Sequence, residues 1–120
     1  MDFETVSPED FGAALTGIGL NLLVHDVQAQ VAFLGDVFGV RAQRVSANFA
    51  IVPYHGHLLQ LHSDGTFSGH PLISLLPENP PRGAGVEIRL YHSDPDRAAE
   101  RAIAAGAGIA GPDRQTAWIA

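Results

Sequence analysis

The pattern Leu-Asn-Leu-Leu-Val-His-Asp at residues 20–26, followed by a helical run to Gly39, has a counterpart in Val-Glu-Ile-Arg-Leu-Tyr-His-Ser-Asp at residues 86–94, followed by a helical run to Gly106. Each copy combines a strand pattern, an aspartate that can cap a helix, an amphipathic helix and a glycine that can end it. The two aspartates are 94 − 26 = 68 positions apart, and the two glycines are 106 − 39 = 67 positions apart. Because this spacing is held across a whole strand and helix, the sequence predicts an internal duplication.

Composition limits the classes of function. The 120 residues suffice for one domain with a hydrophobic core. The net charge is −6 and every basic residue apart from histidine is an arginine, so we expect no basic stripe and no nucleic-acid partner. Cysteine is absent, which excludes disulfides, thiolate nucleophiles and thiolate metal ligands, and which agrees with a reducing compartment.

The first residues and the hydropathy pattern bear on location. The chain begins Met-Asp-Phe-Glu, which lacks the basic and apolar regions of a signal peptide. No apolar run approaches the length needed to span a bilayer. We therefore expect a soluble cytoplasmic protein that has no membrane partner.

Local patterns in the first half predict five elements. Ser-Pro-Glu-Asp before residue 11 indicates a short helix to about residue 15. Alternating apolar residues predict a strand over 18–25, and helical spacing predicts a helix from Asp26 to Gly39 that lies across the apolar face of that strand. Two further strands, 48–54 and 57–62, are predicted to be joined by a tight turn at His-Gly.

The second half is predicted to begin after a connection. Residues 64–85 contain four of the eight prolines, which favours a linking segment. A strand at 86–92 and an alanine-rich helix that ends at Gly106 then repeat the first unit. Residues 109–120 are enough for one more strand.

The first strand and helix carry a family resemblance. Val-His-Asp-Val at residues 24–27, followed by Val-Ala-Phe-Leu-Gly-Asp-Val-Phe-Gly-Val at 31–40, resembles the signature of the vicinal oxygen chelate superfamily, which contains glyoxalase I, extradiol dioxygenases and bleomycin-resistance proteins. The resemblance covers roughly residues 17–118 and implies an α+β fold in which two βαβββ modules form a cupped mixed sheet.

The resemblance also implies how the chain is divided. Residues 1–120 form a single domain, with module one at about 17–63, a connection at about 64–83 and module two at about 84–120. The family's second module adds about two more strands than this chain provides, so we expect the second module to be incomplete at its C-terminus. Many members build their cavities across two subunits, which implies a homodimer.

The sequence lacks most of the metal ligands that the resemblance implies. The family takes one ligand from the first strand and one from the last strand of each module, and three of these positions fall on Gly19, Gln60 and Glu87. Gly19 and Gln60 are poor ligands and Glu87 is a possible carboxylate ligand, and the fourth position would lie on a final strand that this chain lacks. We therefore predict no cofactor; the alternative is a divalent metal held by His62 and Glu87, although catalytic zinc usually takes three protein ligands.

A ligand pocket is better supported by strand alternation. Glu87, Arg89 and Tyr91 share one face of the predicted strand and would face the cup, and Asn21 lies on the matching face of module one. The full predicted ligand-binding set is Asn21, Gln60, His62, Glu87, Arg89, Tyr91 and Trp118. The alternative is that Glu87 and Arg89 form an ion pair on a solvated sheet.

These features lead to a functional expectation. The chain has no cysteine, no lysine and no serine in a nucleophile-elbow setting, so covalent catalysis has little support. We expect a protein that binds a small aromatic or polar organic molecule without a metal, similar to the antibiotic-binding branch of the superfamily. The alternatives are a metal-dependent lyase, isomerase or dioxygenase with atypical ligands, and a purely structural or regulatory module; whether the chain is an enzyme stays open.

Overall fold

The computed structural model describes residues 1–67, 69–76 and 85–107. These residues form an α+β arrangement of a three-stranded mixed sheet and three α-helices. In chain order the elements are α1 (Pro8–Ala14), β1 (Asn21–Val24), α2 (Val27–Phe38), β2 (Phe49–Tyr54), β3 (His57–Ser63), two short 3₁₀ helices (Asp64–Phe67 and Pro71–Leu75) and α3 (Pro95–Ala104).

The sheet has the order β1-β3-β2, so β3 is its central strand. β3 runs parallel to β1 and antiparallel to β2. The parallel pair requires a long crossover, which α2 and β2 supply, whereas the antiparallel pair needs only a two-residue turn. His55 and Gly56 form that turn with φ values of 47° and 80°, the left-handed conformation that a tight hairpin demands, which confirms the predicted turn.

The two predicted helical units are confirmed at both ends. The N–H of Ala29 donates to Oδ1 of Asp26 at 2.9 Å, which caps α2, and Asp94 caps α3 in the same way. Gly39 directly after α2 and Gly106 after α3 both have left-handed backbones, with φ values of 67° and 83°. The same start and stop chemistry therefore bounds both helices.

The strands that precede these helices depart from the prediction. Residues 86–90 have no regular secondary structure and Tyr91-His92 lie in a turn, so the strand predicted at 86–92 is not present. A strand needs a hydrogen-bonded neighbour, and among the described residues none of β1, β2 and β3 pairs with residues 86–92. The strand predicted at 18–25 begins only at Asn21, and Ile18 is fully exposed. The strand predicted within 109–120 lies outside the described residues.

The core has two clusters, one between the sheet and α2 and one between α2 and α3. One cluster joins α2 to the sheet, with Leu22 and Val24 of β1 packed against it, as the apolar face of that strand predicted. A second cluster packs α3 onto α2 through Val37, Ala98 and Ala102. The buried members of the first cluster are Val27, Leu34, Val40, Ala50, Val52 and Leu61.

The N-terminal segment is attached to the loop before β2 by Arg44. The Arg44 backbone N–H donates to Oε1 of Glu4 at 2.7 Å, and its guanidinium donates to the carbonyl oxygens of Phe3 and Val6. The rings of Phe3 and Phe11 meet edge to face, with centroids 5.8 Å apart. These contacts tie α1 and the residues before it to the sheet-bearing part of the chain.

The two glycines at the end of α2 are expected to respond to alanine with opposite signs. Gly35→Ala should raise the free energy of unfolding by about 0.5–1 kcal/mol, because Gly35 is inside the helix and an added Cβ would meet only the Val40 carbonyl oxygen, at 3.6 Å. Gly39→Ala should lower it by about 1–2 kcal/mol, because this residue is left-handed. Urea unfolding of both variants measures the difference, and changes of the same sign would contradict the assigned helix end.

Candidate ligand-binding site

A cavity of about 540 Å³ lies between the sheet, α2 and the segment 88–92. Its walls are mostly aliphatic side chains from the three strands and from α2. Its polar groups come from α2 (Gln30), from the β2–β3 hairpin and from segment 88–92. It is lined by Leu20, Leu22, Gln30, Leu34, Val40, Val52, Tyr54, His55, His57, Leu58, Leu59, Leu61, Ile88, Arg89, Leu90, Tyr91 and His92. The same sheet face that builds the core therefore also builds this cavity.

Segment 88–92 forms one wall of the cavity and is held there by two kinds of contact. Leu90 packs against the core cluster between α2 and the sheet. The hydroxyl of Tyr54 donates a hydrogen bond to the Tyr91 carbonyl oxygen, which joins the segment to the end of β2. The hydroxyl of Ser93 donates to the Leu90 carbonyl oxygen at 2.9 Å and stabilises the turn that leads into α3.

Histidines gather where the β2–β3 turn meets segment 88–92. The rings of His55 and His92 have centroids 5.8 Å apart, and the Tyr54 ring lies edge-on to His55 at 4.5 Å. His57 lines the same cavity from the start of β3. His55 and His92 both have left-handed backbones, with φ values of 47° and 64°. Such backbone conformations are costly for non-glycine residues, and they concentrate at functional sites.

Three of the predicted site residues lie in segment 86–92. Arg89 and Tyr91 line the cavity, whereas Glu87 does not. Glu87 instead accepts a hydrogen bond from Nε of Arg89 within an ion pair. The two side chains are about half-exposed, so this pair contributes little to stability.

The other described members of the predicted site lie on the opposite face of the sheet. Asn21 and Gln60 are register partners across β1 and β3, and His62 follows Gln60 by two residues on the same face. Leu59 and Leu61, which alternate with them, face the core and the cavity. The structure therefore places Asn21, Gln60 and His62 away from Arg89 and Tyr91. Trp118 lies outside the described residues.

Burial affects the ionisation of His62. Its ring lies 5.1 Å from the Phe49 ring, its cross-strand partner. Desolvation by burial lowers the pKa of His62 below its ordinary value, because a less hydrated site disfavours the imidazolium.

This pKa shift predicts a loss of stability in mild acid. The unfolded chain keeps the ordinary histidine pKa of about 6.5 and binds more protons than the folded chain between that value and the lower folded pKa. The free energy of unfolding should therefore fall as pH decreases through this interval, and His62→Gln should flatten that decrease in urea titrations. His25→Gln, at a mostly exposed histidine, is the matched control. An unchanged slope in His62→Gln would contradict this assignment.

The positions of the residues predicted as alternative metal ligands can be given for the described part of the chain. Within residues 1–67, 69–76 and 85–107, no group of three or more histidine, aspartate or glutamate side chains is arranged to hold a metal ion. His62 lies on the sheet face that points away from the cavity, and Glu87 is bonded to Arg89. Gly19 precedes β1 and offers no side chain.

Sequence reasoning missed the histidines at the cavity. It placed the ligand on the face of β1 and β3 opposite α2, and its candidate site residues did not include His55, His57 or His92. One signal was present in the sequence: Tyr-His occurs at 54–55 and again at 91–92. The structure brings these two dipeptides together through the hydrogen bond from Tyr54 to the Tyr91 carbonyl and through the adjacent histidine rings.

Similarity to known proteins does not assign this arrangement to a family. No protein-family model matches the chain, and no curated protein matches it significantly. Of the helices in the described ranges, none has the length and apolar character required to cross a membrane. The class of the protein thus rests on its own features, an α+β fold with a ligand-sized cavity between a mixed sheet, a helix and segment 88–92.

Proposed function

We propose that this protein binds a small organic molecule with a substantial apolar or aromatic part in the cavity between the sheet, α2 and segment 88–92, and that it does so without a metal. The observation that carries the proposal is the cavity itself. Its volume of about 540 Å³ lies within the range of small-molecule sites, about 300–1,000 Å³. Aliphatic walls with a few polar groups are the usual make-up of such sites.

The side chains of the walls determine which kind of ligand the cavity favours. Leu22, Leu59 and Leu61 offer aliphatic surface from the strands, and Leu34 offers it from α2. A ligand that buries about 200 Å² of apolar surface there gains about 5 kcal/mol before the entropic cost of association. Apolar contact therefore supplies affinity, and the polar groups near the β2–β3 turn supply orientation.

The proposal includes a relationship to the antibiotic-binding branch of the vicinal oxygen chelate superfamily. It is supported by the repeated helix signature, in which an aspartate caps each of α2 and α3 and a left-handed glycine follows. In this proposal residues 84–120 form a second, shorter module, and the protein acts in the cytoplasm.

The proposal also includes a homodimer. β1 has a single neighbour among the described strands, and an open edge of this kind favours pairing with a second copy of the chain.

A titration with a neutral fluorescent probe tests the binding proposal. N-phenyl-1-naphthylamine carries no charge near neutral pH and emits strongly only in apolar surroundings. We expect saturable binding of one probe per chain and a rise in melting temperature, since a ligand of the native state stabilises it. The same titration with a chelator is the control for the metal-free part of the proposal. Emission that does not saturate would overturn the proposed function, and binding that is lost with chelator and restored by zinc would overturn its metal-free character.

A further inference from the structure

We infer that the molecule bound in this cavity carries an anionic group, such as a carboxylate, and that the imidazoles of His55, His57 and His92 receive it. This inference rests on the proposed function, because it takes the cavity to be a binding site. It adds the chemical class of the ligand: an apolar body with one acidic head group.

The first support is the charge of the lining. The chain as a whole is acidic, with a formal net charge of −6. Among the described residues that line the cavity, however, none is an aspartate or a glutamate. The titratable side chains that line it are Tyr54, His55, His57, Arg89, Tyr91 and His92. A cavity whose described lining holds no carboxylate and gathers basic groups, in an acidic protein, is complementary to an anion.

The second support is the convergence of two histidines from separate parts of the chain. His55 comes from the β2–β3 turn and His92 from the turn before α3, yet their ring centroids are only 5.8 Å apart. Both residues hold costly left-handed backbones, and the hydrogen bond from Tyr54 to the Tyr91 carbonyl fixes the two turns together. An imidazole donates one hydrogen bond when neutral and two when protonated, so the pair offers at least two donors to one anion.

The neighbouring acidic groups already have partners. Glu87 accepts from the Arg89 guanidinium, and the Asp94 carboxylate accepts from the N–H groups of Asp96 and Arg97 at the start of α3. The imidazoles can therefore supply positive charge to the cavity when they are protonated. Because an anion favours the protonated forms of the imidazoles, its binding is coupled to proton uptake, and affinity should rise as pH falls.

A matched acid and alcohol test the inference. The competitors are 2-naphthoate, which is ionised throughout, and 2-naphthylmethanol, which has a similar body and no charge. Each is titrated against the neutral probe bound to the 120-residue chain, at about pH 6 and at about pH 8. We expect the acid to compete at about tenfold lower concentration than the alcohol at the lower pH and to lose most of this advantage at the higher pH and in high salt.

Histidine-to-glutamine variants test whether the histidines cause the preference for the acid over the alcohol. His92→Gln and His55→Gln should each reduce the acid-to-alcohol preference several-fold, whereas His25→Gln, at an exposed histidine outside the cavity, should retain it. Equal competition by acid and alcohol at both pH values would overturn the inference while the proposed function stands. Failure of the neutral probe to bind would instead reject the proposed function, and the inference with it. The pH comparison on the unmodified chain keeps the inference testable even where a variant does not fold.

Discussion

Replacing Leu59 by tryptophan is expected to weaken binding of the neutral probe by at least about tenfold, which corresponds to about 1.4 kcal/mol. Leu59 lies on β3, half-buried, and its side chain forms part of the cavity wall. The larger indole would occupy space that the ligand needs. Probe titration measures the change, and circular dichroism establishes that the variant is folded, because overfilling a packed region costs about 1–3 kcal/mol.

The matched control is Leu23→Trp. Leu23 lies on β1 with its side chain on the face opposite the cavity, and it is also half-buried. This variant introduces the same side chain into the same sheet and should leave probe affinity close to that of the unmodified chain. A loss of affinity in Leu23→Trp equal to that in Leu59→Trp would mean that the probe does not report on this cavity.

Ile51→Ala is expected to lower the free energy of unfolding by about 2–5 kcal/mol, a large part of the about 5–15 kcal/mol that a domain of this kind has. Ile51 is in β2, and its side chain is completely buried. Its backbone exchanges hydrogen bonds with Gln43 at 2.9 and 2.7 Å, and alanine keeps both. The expected loss therefore comes from side-chain packing and can be measured by urea unfolding.

Ile18→Ala removes the same atoms from a fully exposed position. It should change the free energy of unfolding by less than about 0.5 kcal/mol. Because Ile18 was predicted to lie on the apolar face of a strand, this variant also tests where β1 begins. A loss comparable to that of Ile51→Ala would place Ile18 in the core and contradict the observed strand start.

Signals confined to a few neighbouring residues predicted the helices and the hairpin. Asp26 and Asp94 each accept from backbone N–H groups within three residues, and Gly39 is left-handed directly after its helix. The His55-Gly56 turn likewise depends on two residues only. Local interactions of this kind are fixed by residue type and spacing, which explains why a sequence is enough to locate them.

Local signals of this kind could not decide whether residues 86–92 form a strand. The alternating pattern of these residues is that of a strand, but extended backbone becomes a strand only beside a hydrogen-bonded neighbour. Residues 86–90 have no such neighbour among the three described strands. Alternation predicted one face for Glu87, Arg89 and Tyr91 and the other for Ile88 and Leu90. In the structure Ile88, Arg89, Leu90 and Tyr91 all line the cavity, because irregular backbone does not keep the two sets on separate faces.

The position of the cavity also could not be predicted from the sequence. Alternation divides β3 into two faces, with Leu59 and Leu61 on one and Gln60 and His62 on the other. Alternation does not show over which face a cavity forms, because that depends on how α2 and segment 88–92 pack against the sheet. The prediction favoured the polar face, whereas the cavity lies over the aliphatic face.

The most direct test of the proposed function is to locate the bound probe by nuclear Overhauser effects between its ring protons and leucine methyl groups. We expect effects to Leu59 and Leu90, which line the cavity from the sheet and from segment 88–92, and none to Leu23 on the other face. Effects to Leu23 without any to Leu59 or Leu90 would place the probe elsewhere and contradict the assignment of this cavity as the binding site.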